Sequence, residues 1–142
     1  MCSSDLTRYV LAALVLVAAG VAWPARGGED KPPAIGEIMR KLNGGTNSMT
    51  RNLELDLKED EPDWEAIQES TAEYAKLVAT LEKGKPPLGG KESWERLARG
   101  YAANARALDA AARRKDRATA AGVVARIKNA CNACHQVHRP KE

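Results

Sequence analysis

Apolar residues recur at intervals of three and four along most of this chain, and that spacing limits the fold more than any other feature of the sequence. The longest run consists of Trp94, Leu97, Ala98, Tyr101, Ala105, Leu108 and Ala112. Because residues three and four apart share one face of an α-helix, the spacing predicts amphipathic helices. Three more stripes follow the same rule: Ile35, Ile38, Met39, Leu42, Met49 and Leu53; Trp64, Ile67, Tyr74, Val78 and Leu81; and Ala120, Val124, Ile127, Cys131 and Cys134.

Breaks between these stripes divide the chain into four helical segments. Pro62 and Asp63 begin the second segment, a loop rich in proline and glycine precedes the third, and Asp116 is placed to cap the fourth. Glycines in the stretch 43–48 predict a kink or a split in the first segment, since an interior glycine weakens a helix. Four helices with short connections predict an all-α domain, an antiparallel up-down-up-down four-helix bundle.

A secretory signal is predicted at residues 1–25. Arg8 precedes the apolar stretch YVLAALVLVAAGVA, and the polar stretch RGGEDKPP follows it. The apolar stretch is short for a membrane span, so cleavage near Ala22 or Ala25 is favoured and no span is expected afterwards. Cys2 would leave with the signal. We therefore expect an exported, periplasmic protein with one domain at residues 26–142.

The segment NACNACHQVHRP, residues 129–140, carries both remaining cysteines and both histidines. Cys-x-x-Cys occurs in disulfide redox centres and in zinc sites, and it attaches haem when a histidine follows directly. Export argues against a zinc site, because free thiols tend to be oxidised in the compartment that an exported protein enters. A thioredoxin-like centre lies in an alternating pattern of strands and helices, and the sequence does not show that pattern. Cys131, Cys134 and His135 therefore favour covalent attachment of one haem c, with an ordinary disulfide as the simpler alternative. On a helix, Cys131 and His135 share a face, so two tethers and one iron ligand can serve one haem.

Met39 and His135 are predicted to lie at the same distance along the helix axes from one end of the bundle. In an antiparallel bundle the first and last helices are neighbours, and each residue is roughly 6–8 Å of helix rise from its end of the bundle. Met49 is roughly 15 Å further along by the same rise and would lie at another level. A methionine on an apolar stripe is more often a core residue than a ligand, so the spacing alone does not decide its role.

The C-terminal motif, the four amphipathic segments, Trp64 and Trp94 near helix starts, and the early IMRKLN together resemble the cytochrome c′ family of bundle-type c cytochromes. The resemblance covers essentially all of the mature chain. It implies that Cys131 and Cys134 form thioethers with haem c and that His135 is the proximal iron ligand. It also implies that Met39 is the distal ligand of a low-spin electron carrier.

Three further expectations depend on that resemblance. Arg139 either pairs with a haem propionate, as the family arginine does, or stabilises the helix C-terminus. His138 stands where many members have tyrosine and is expected as a polar residue at the haem rim. Trp64, Trp94 and Tyr101 are expected to pack in the core and against haem, with no chemical role.

Together these features predict an exported one-electron carrier that works with redox partner proteins and is not an enzyme. Two rivals remain: a five-coordinate haem protein that binds or buffers nitric oxide or carbon monoxide, and a structural helical protein with a disulfide. Nucleic acid is an improbable partner for an exported chain of this composition, and a homodimer is left open. The acidic stretch Glu29–Lys83 and the basic stretch Arg96–Glu142 are expected to attract each other within the domain.

Overall fold

The computed structural model describes residues 34–139, so the predicted signal at residues 1–25 lies outside the described residues. Five α-helices form the regular structure of this part of the chain, which contains no strand. They are α1 (Ile35–Asn43), α2 (Met49–Asp56), α3 (Trp64–Leu81), α4 (Lys91–Arg113) and α5 (Arg117–His138). The all-helical fold predicted from the apolar spacing is confirmed.

The first predicted segment is divided into α1 and α2. A Cβ atom on Gly44 would lie 2.6 Å from the Arg40 carbonyl oxygen, so the chain can turn away from α1 here only with glycine. Gly45 has a φ of +72°, a conformation that side chains rarely tolerate. The glycines thus split the segment, and five helices replace the four segments of the sequence prediction.

Aspartate caps fix the starts of α3 and α5, as the sequence predicts. The Asp63 carboxylate accepts hydrogen bonds from the backbone N–H groups of Glu65 and Ala66. The Asp116 carboxylate accepts from the backbone N–H of Thr119, and the side chain and the N–H of Thr119 together lower the pKa of Asp116. Each cap satisfies donors that the first turn of a helix leaves without a partner.

Helix α4 packs against both α3 and α5, and the two short helices close the rest of the core. Helix α1 contacts α2 and α3, whereas α2 contacts α3 and α5. The Cα atoms of α1 and α5 do not come within 8 Å of each other in the described part of the chain. The largest fully buried side chains are Tyr74, Leu42, Leu53, Ile67, Leu81, Leu108, Ile127, Val78, Val123 and Thr71.

Ionic and polar contacts join α2, and the turn that follows it, to α5. The Glu54 carboxylate accepts hydrogen bonds from Lys128 at 2.8 Å and Lys58 at 3.1 Å, and these lower the pKa of Glu54 to about 2. Arg117 Nε donates to the Leu57 carbonyl oxygen at 2.6 Å. The Glu54–Lys128 pair joins the acidic first part of the chain to the basic last part. Within residues 34–139, no helix has the length and apolar character needed to cross a bilayer.

Candidate functional site

A cleft of about 1100 Å³ lies between α1 and the C-terminal end of α5. The segment that joins α3 to α4 forms a further side, and Trp94 of α4 lies against it. The cleft lies between the backbones of α1 and α5, whose Cα atoms stay more than 8 Å apart in the described residues. Its lining comprises Ala34, Ile35, Gly36, Ile38, Met39, Arg40, Asn43, Gly44, Thr80, Lys83, Gly84, Lys85, Pro87, Trp94, Cys134, His135, His138 and Arg139.

The lining combines apolar walls with a basic rim. Ile38 and Trp94 are buried beside the cleft, and Ile35 is half-buried. Among the described residues that line it, none is acidic, and the four strongly basic ones are Arg40, Lys83, Lys85 and Arg139. The cleft therefore suits a large apolar ligand with negative charge at its edge.

All five site residues predicted from the sequence lie at this place. Cys134, His135, Met39 and Arg139 line the cleft, and Cys131 lines an adjoining pocket of about 210 Å³. The two cavities share Met39, Cys134 and His135, so they form one continuous region. Met49 packs against the core and is not among the described residues that line either cavity.

Both motif cysteines are half-buried thiols, and neither forms a disulfide. The Cys131 thiol donates to the Ile127 carbonyl oxygen at 3.4 Å. Burial raises the pKa of both thiols, so they are protonated at neutral pH. The neighbouring His135 imidazole is exposed at the cleft, one helical turn after Cys131. The Cys134 thiol and the His135 imidazole thus line the cleft, and the Cys131 thiol lies in the adjoining pocket that those two residues also line.

The Met39 thioether lies on the opposite helix. Its side chain is half-buried and packs against the core, and the Asn43 amide nitrogen lies 3.9 Å from its sulfur. Asn43 follows Met39 by one helical turn and lines both cavities with it. The structure therefore brings a soft sulfur donor on α1 and an imidazole on α5 to one cavity.

His138 is buried, with 3% of its surface exposed, although the sequence suggested a rim position. Its Nδ1–H donates to the Leu88 carbonyl oxygen at 2.7 Å, and its Nε2 lies 3.0 Å from the Ser93 hydroxyl. The ring packs edge-to-face against Trp94 at 5.4 Å between centroids. His138 thus joins the end of α5 to the loop before α4, and it also lines the cleft, so its expected position at the haem rim stays a prediction.

Sequence reasoning missed a polar cluster beside Met39. Asn43, Thr50, Tyr74 and Tyr101 come from four different helices and are joined by hydrogen bonds. Tyr101 was expected only to pack, and the other three residues carried no local motif. The one available signal was the i, i+4 spacing of Met39 and Asn43.

Within the described residues, no three His, Cys, Asp or Glu side chains come together as a metal-binding group. No protein-family model matches this chain, and neither does any curated protein or solved structure.

Proposed function

We propose that this protein is an exported monohaem c-type cytochrome that carries single electrons between redox partner proteins, on a bundle like that of the cytochrome c′ family. One observation carries the proposal: Met39 on α1 and Cys134–His135 on α5 line the same cleft, and Cys131 lines the adjoining pocket. The proposal includes cleavage of a signal at residues 1–25 and an up-down-up-down arrangement, with α1 and α2 together as the first member.

The residues around the cleft fit a haem. The cleft volume of about 1100 Å³ is at the upper end of the usual range for small-molecule and cofactor sites. Its walls are mostly apolar, and Cys131 and Cys134 are not joined in a disulfide, so both sulfurs are available for thioether attachment. A neutral imidazole and a thioether are both ordinary axial donors to haem iron.

Each group of this chain then has a distinct task. Cys131 and Cys134 would tether the haem, and His135 and Met39 would be the protein ligands of its iron. The four basic residues at the rim, Arg139 among them, would offset the charge of the propionates. The bound haem iron supplies a one-electron couple. Ligation by one histidine and one methionine favours Fe(II) more than ligation by two histidines does.

Absorption spectra of the oxidised and reduced protein test the electron-carrier assignment. With Met39 as a ligand, the oxidised protein is low-spin and shows the weak long-wavelength band of sulfur-to-iron charge transfer. Met39→Ala should abolish this band, lower the reduction potential and let carbon monoxide bind the reduced protein, because the thioether no longer blocks the iron.

Met49→Ala is the matched control, since Met49 is a half-buried methionine outside both cavities. It should leave the spectra, the potential and carbon monoxide binding as in the parent. If the oxidised parent is high-spin, or if Met39→Ala does not change the spectra, the electron-carrier function is wrong. The five-coordinate protein that binds nitric oxide or carbon monoxide is then the favoured alternative. In that case Ile35 and Ile38, which line the same wall, would bound an open distal site.

A further inference from the structure

Four side chains beside Met39 form a closed ring of hydrogen bonds. Asn43 Nδ2 lies 3.2 Å from Tyr101 Oη, and Tyr101 Oη lies 2.6 Å from Tyr74 Oη. Tyr74 Oη lies 3.0 Å from Thr50 Oγ1, which lies 2.8 Å from Asn43 Oδ1. One residue comes from each of α1 to α4, so the ring joins four helices at a single point.

The donors in this ring can be assigned one by one. An amide oxygen only accepts, so the Thr50 hydroxyl donates to Asn43 Oδ1. With its hydrogen used, the Thr50 oxygen must accept from Tyr74, and Tyr74 must then accept from Tyr101. Tyr101 in turn accepts from the Asn43 amide. All three hydroxyl hydrogens are used within the ring, and Asn43 retains one N–H.

That remaining N–H is directed at the ligand proposed above. Asn43 Nδ2 lies 3.9 Å from the Met39 sulfur, within reach of a weak N–H···S hydrogen bond. If every donor and acceptor in the ring were exchanged, the Asn43 amide would have to be flipped. Its oxygen would then face the Met39 sulfur, and neither of these two atoms can donate a hydrogen bond. The contact with sulfur therefore favours the assigned direction.

We propose that Asn43 is a positioning residue for Met39, an inference that rests on the proposed function. The ring fixes the amide, and the amide N–H engages one lone pair of the thioether, leaving the other lone pair for the iron. Because thioether ligation favours Fe(II), a hydrogen bond that keeps the Met39 sulfur in place for the iron also raises the reduction potential. Asn43 then sets both the orientation of the ligand and the reduction potential.

Asn43→Leu tests this in the haem-loaded protein, because leucine keeps the shape of the side chain and removes the amide. We expect the sulfur-to-iron band to shift or weaken and the potential to fall. We expect added imidazole to displace Met39 about twofold more readily, the factor that a hydrogen bond at the weak end of the usual range of net strength produces in an equilibrium constant. Asn104→Leu is the matched control, since the half-buried Asn104 also lines the smaller pocket but is not hydrogen-bonded to Met39.

Thr50→Val provides a second route if Asn43→Leu does not fold, because it removes the donor that holds the Asn43 amide while leaving that amide in place. It should shift the band and imidazole affinity in the same direction, by less. If the parent band is present and neither Asn43→Leu nor Thr50→Val moves it relative to Asn104→Leu, the positioning role is wrong while the proposed function stands. If the parent lacks the band, Met39 ligation and the positioning role both fall.

Discussion

At the residue scale, the most unusual feature is the burial of two phenols against each other. Tyr74 is fully buried, and its ring meets that of Tyr101 edge-to-face at 6.2 Å between centroids. Burial is the largest cause that raises the pKa of each phenol above the ordinary value of 10. A tyrosinate here would lose hydration and would also break the ring, because each hydroxyl hydrogen has an acceptor within it.

This burial predicts an alkaline limit to stability. The folded phenols hold their protons at a pH where the unfolded phenols release theirs, so stability is complete below pH 10 and is lost as pH rises beyond it. Ultraviolet titration of the mature protein should show tyrosinate appearing only together with unfolding followed by circular dichroism. The chain in denaturant is the control and should titrate near pH 10. Tyrosinate near pH 10 in the folded protein would contradict the buried ring.

The part of the candidate site on α5 could be predicted from the sequence much more easily than the part on α1. Cys131, Cys134 and His135 are close together in the chain, so their spacing alone predicts their chemistry. Met39 needed both helical depth and a resemblance to a known family. The ring of Asn43 with Thr50 and the two tyrosines depends on contacts across as many as 58 positions, and such contacts leave no local pattern.

At the element scale, helix starts and breaks were predictable because short-range chemistry fixes them. Asp63 and Asp116 cap the helices they precede, and Gly44 ends α1 where no other residue fits. The burial of His138 was not predictable, since it depends on how the loop before α4 folds back over α5. Gly89 makes that approach possible: its φ is +80°, and a Cβ atom there would lie 2.7 Å from His138 Nδ1.

Gly89→Ala should therefore destabilise the protein by about 1–3 kcal/mol, combining the strain of a left-handed alanine with displacement of the His138 ring. Gly100→Ala is the control, because Gly100 is an exposed position within α4 where an added Cβ atom meets nothing within 4 Å. Alanine there should stabilise by about 0.5–1 kcal/mol. Chemical denaturation would measure both free energies of unfolding. Equal effects of the two substitutions would refute the close approach of Gly89 and His138.

At the scale of the whole molecule, the helices leave a large opening in the place where the sequence concentrates its chemistry. Helices α3, α4 and α5 supply the main packing, an ion pair of Glu54 joins α2 to α5, and the cleft lies between α1 and α5. The cleft has a volume of about 1100 Å³ and mostly apolar walls, which is the space that the proposed haem would fill. The account proposed above is thus of a helical domain whose packing the haem would complete.

The mass of the denatured, purified protein tests this account most directly, after expression in a host that attaches haem c to exported proteins. We expect the chain without its signal plus the mass of one haem, and we expect the colour to stay with the polypeptide on extraction with acidified organic solvent. The double variant Cys131→Ala, Cys134→Ala should have the mass of the bare mature chain and should release any haem it carries. A parent that has the bare mass, or that loses its haem to the solvent, would contradict the covalent site on which the whole account depends.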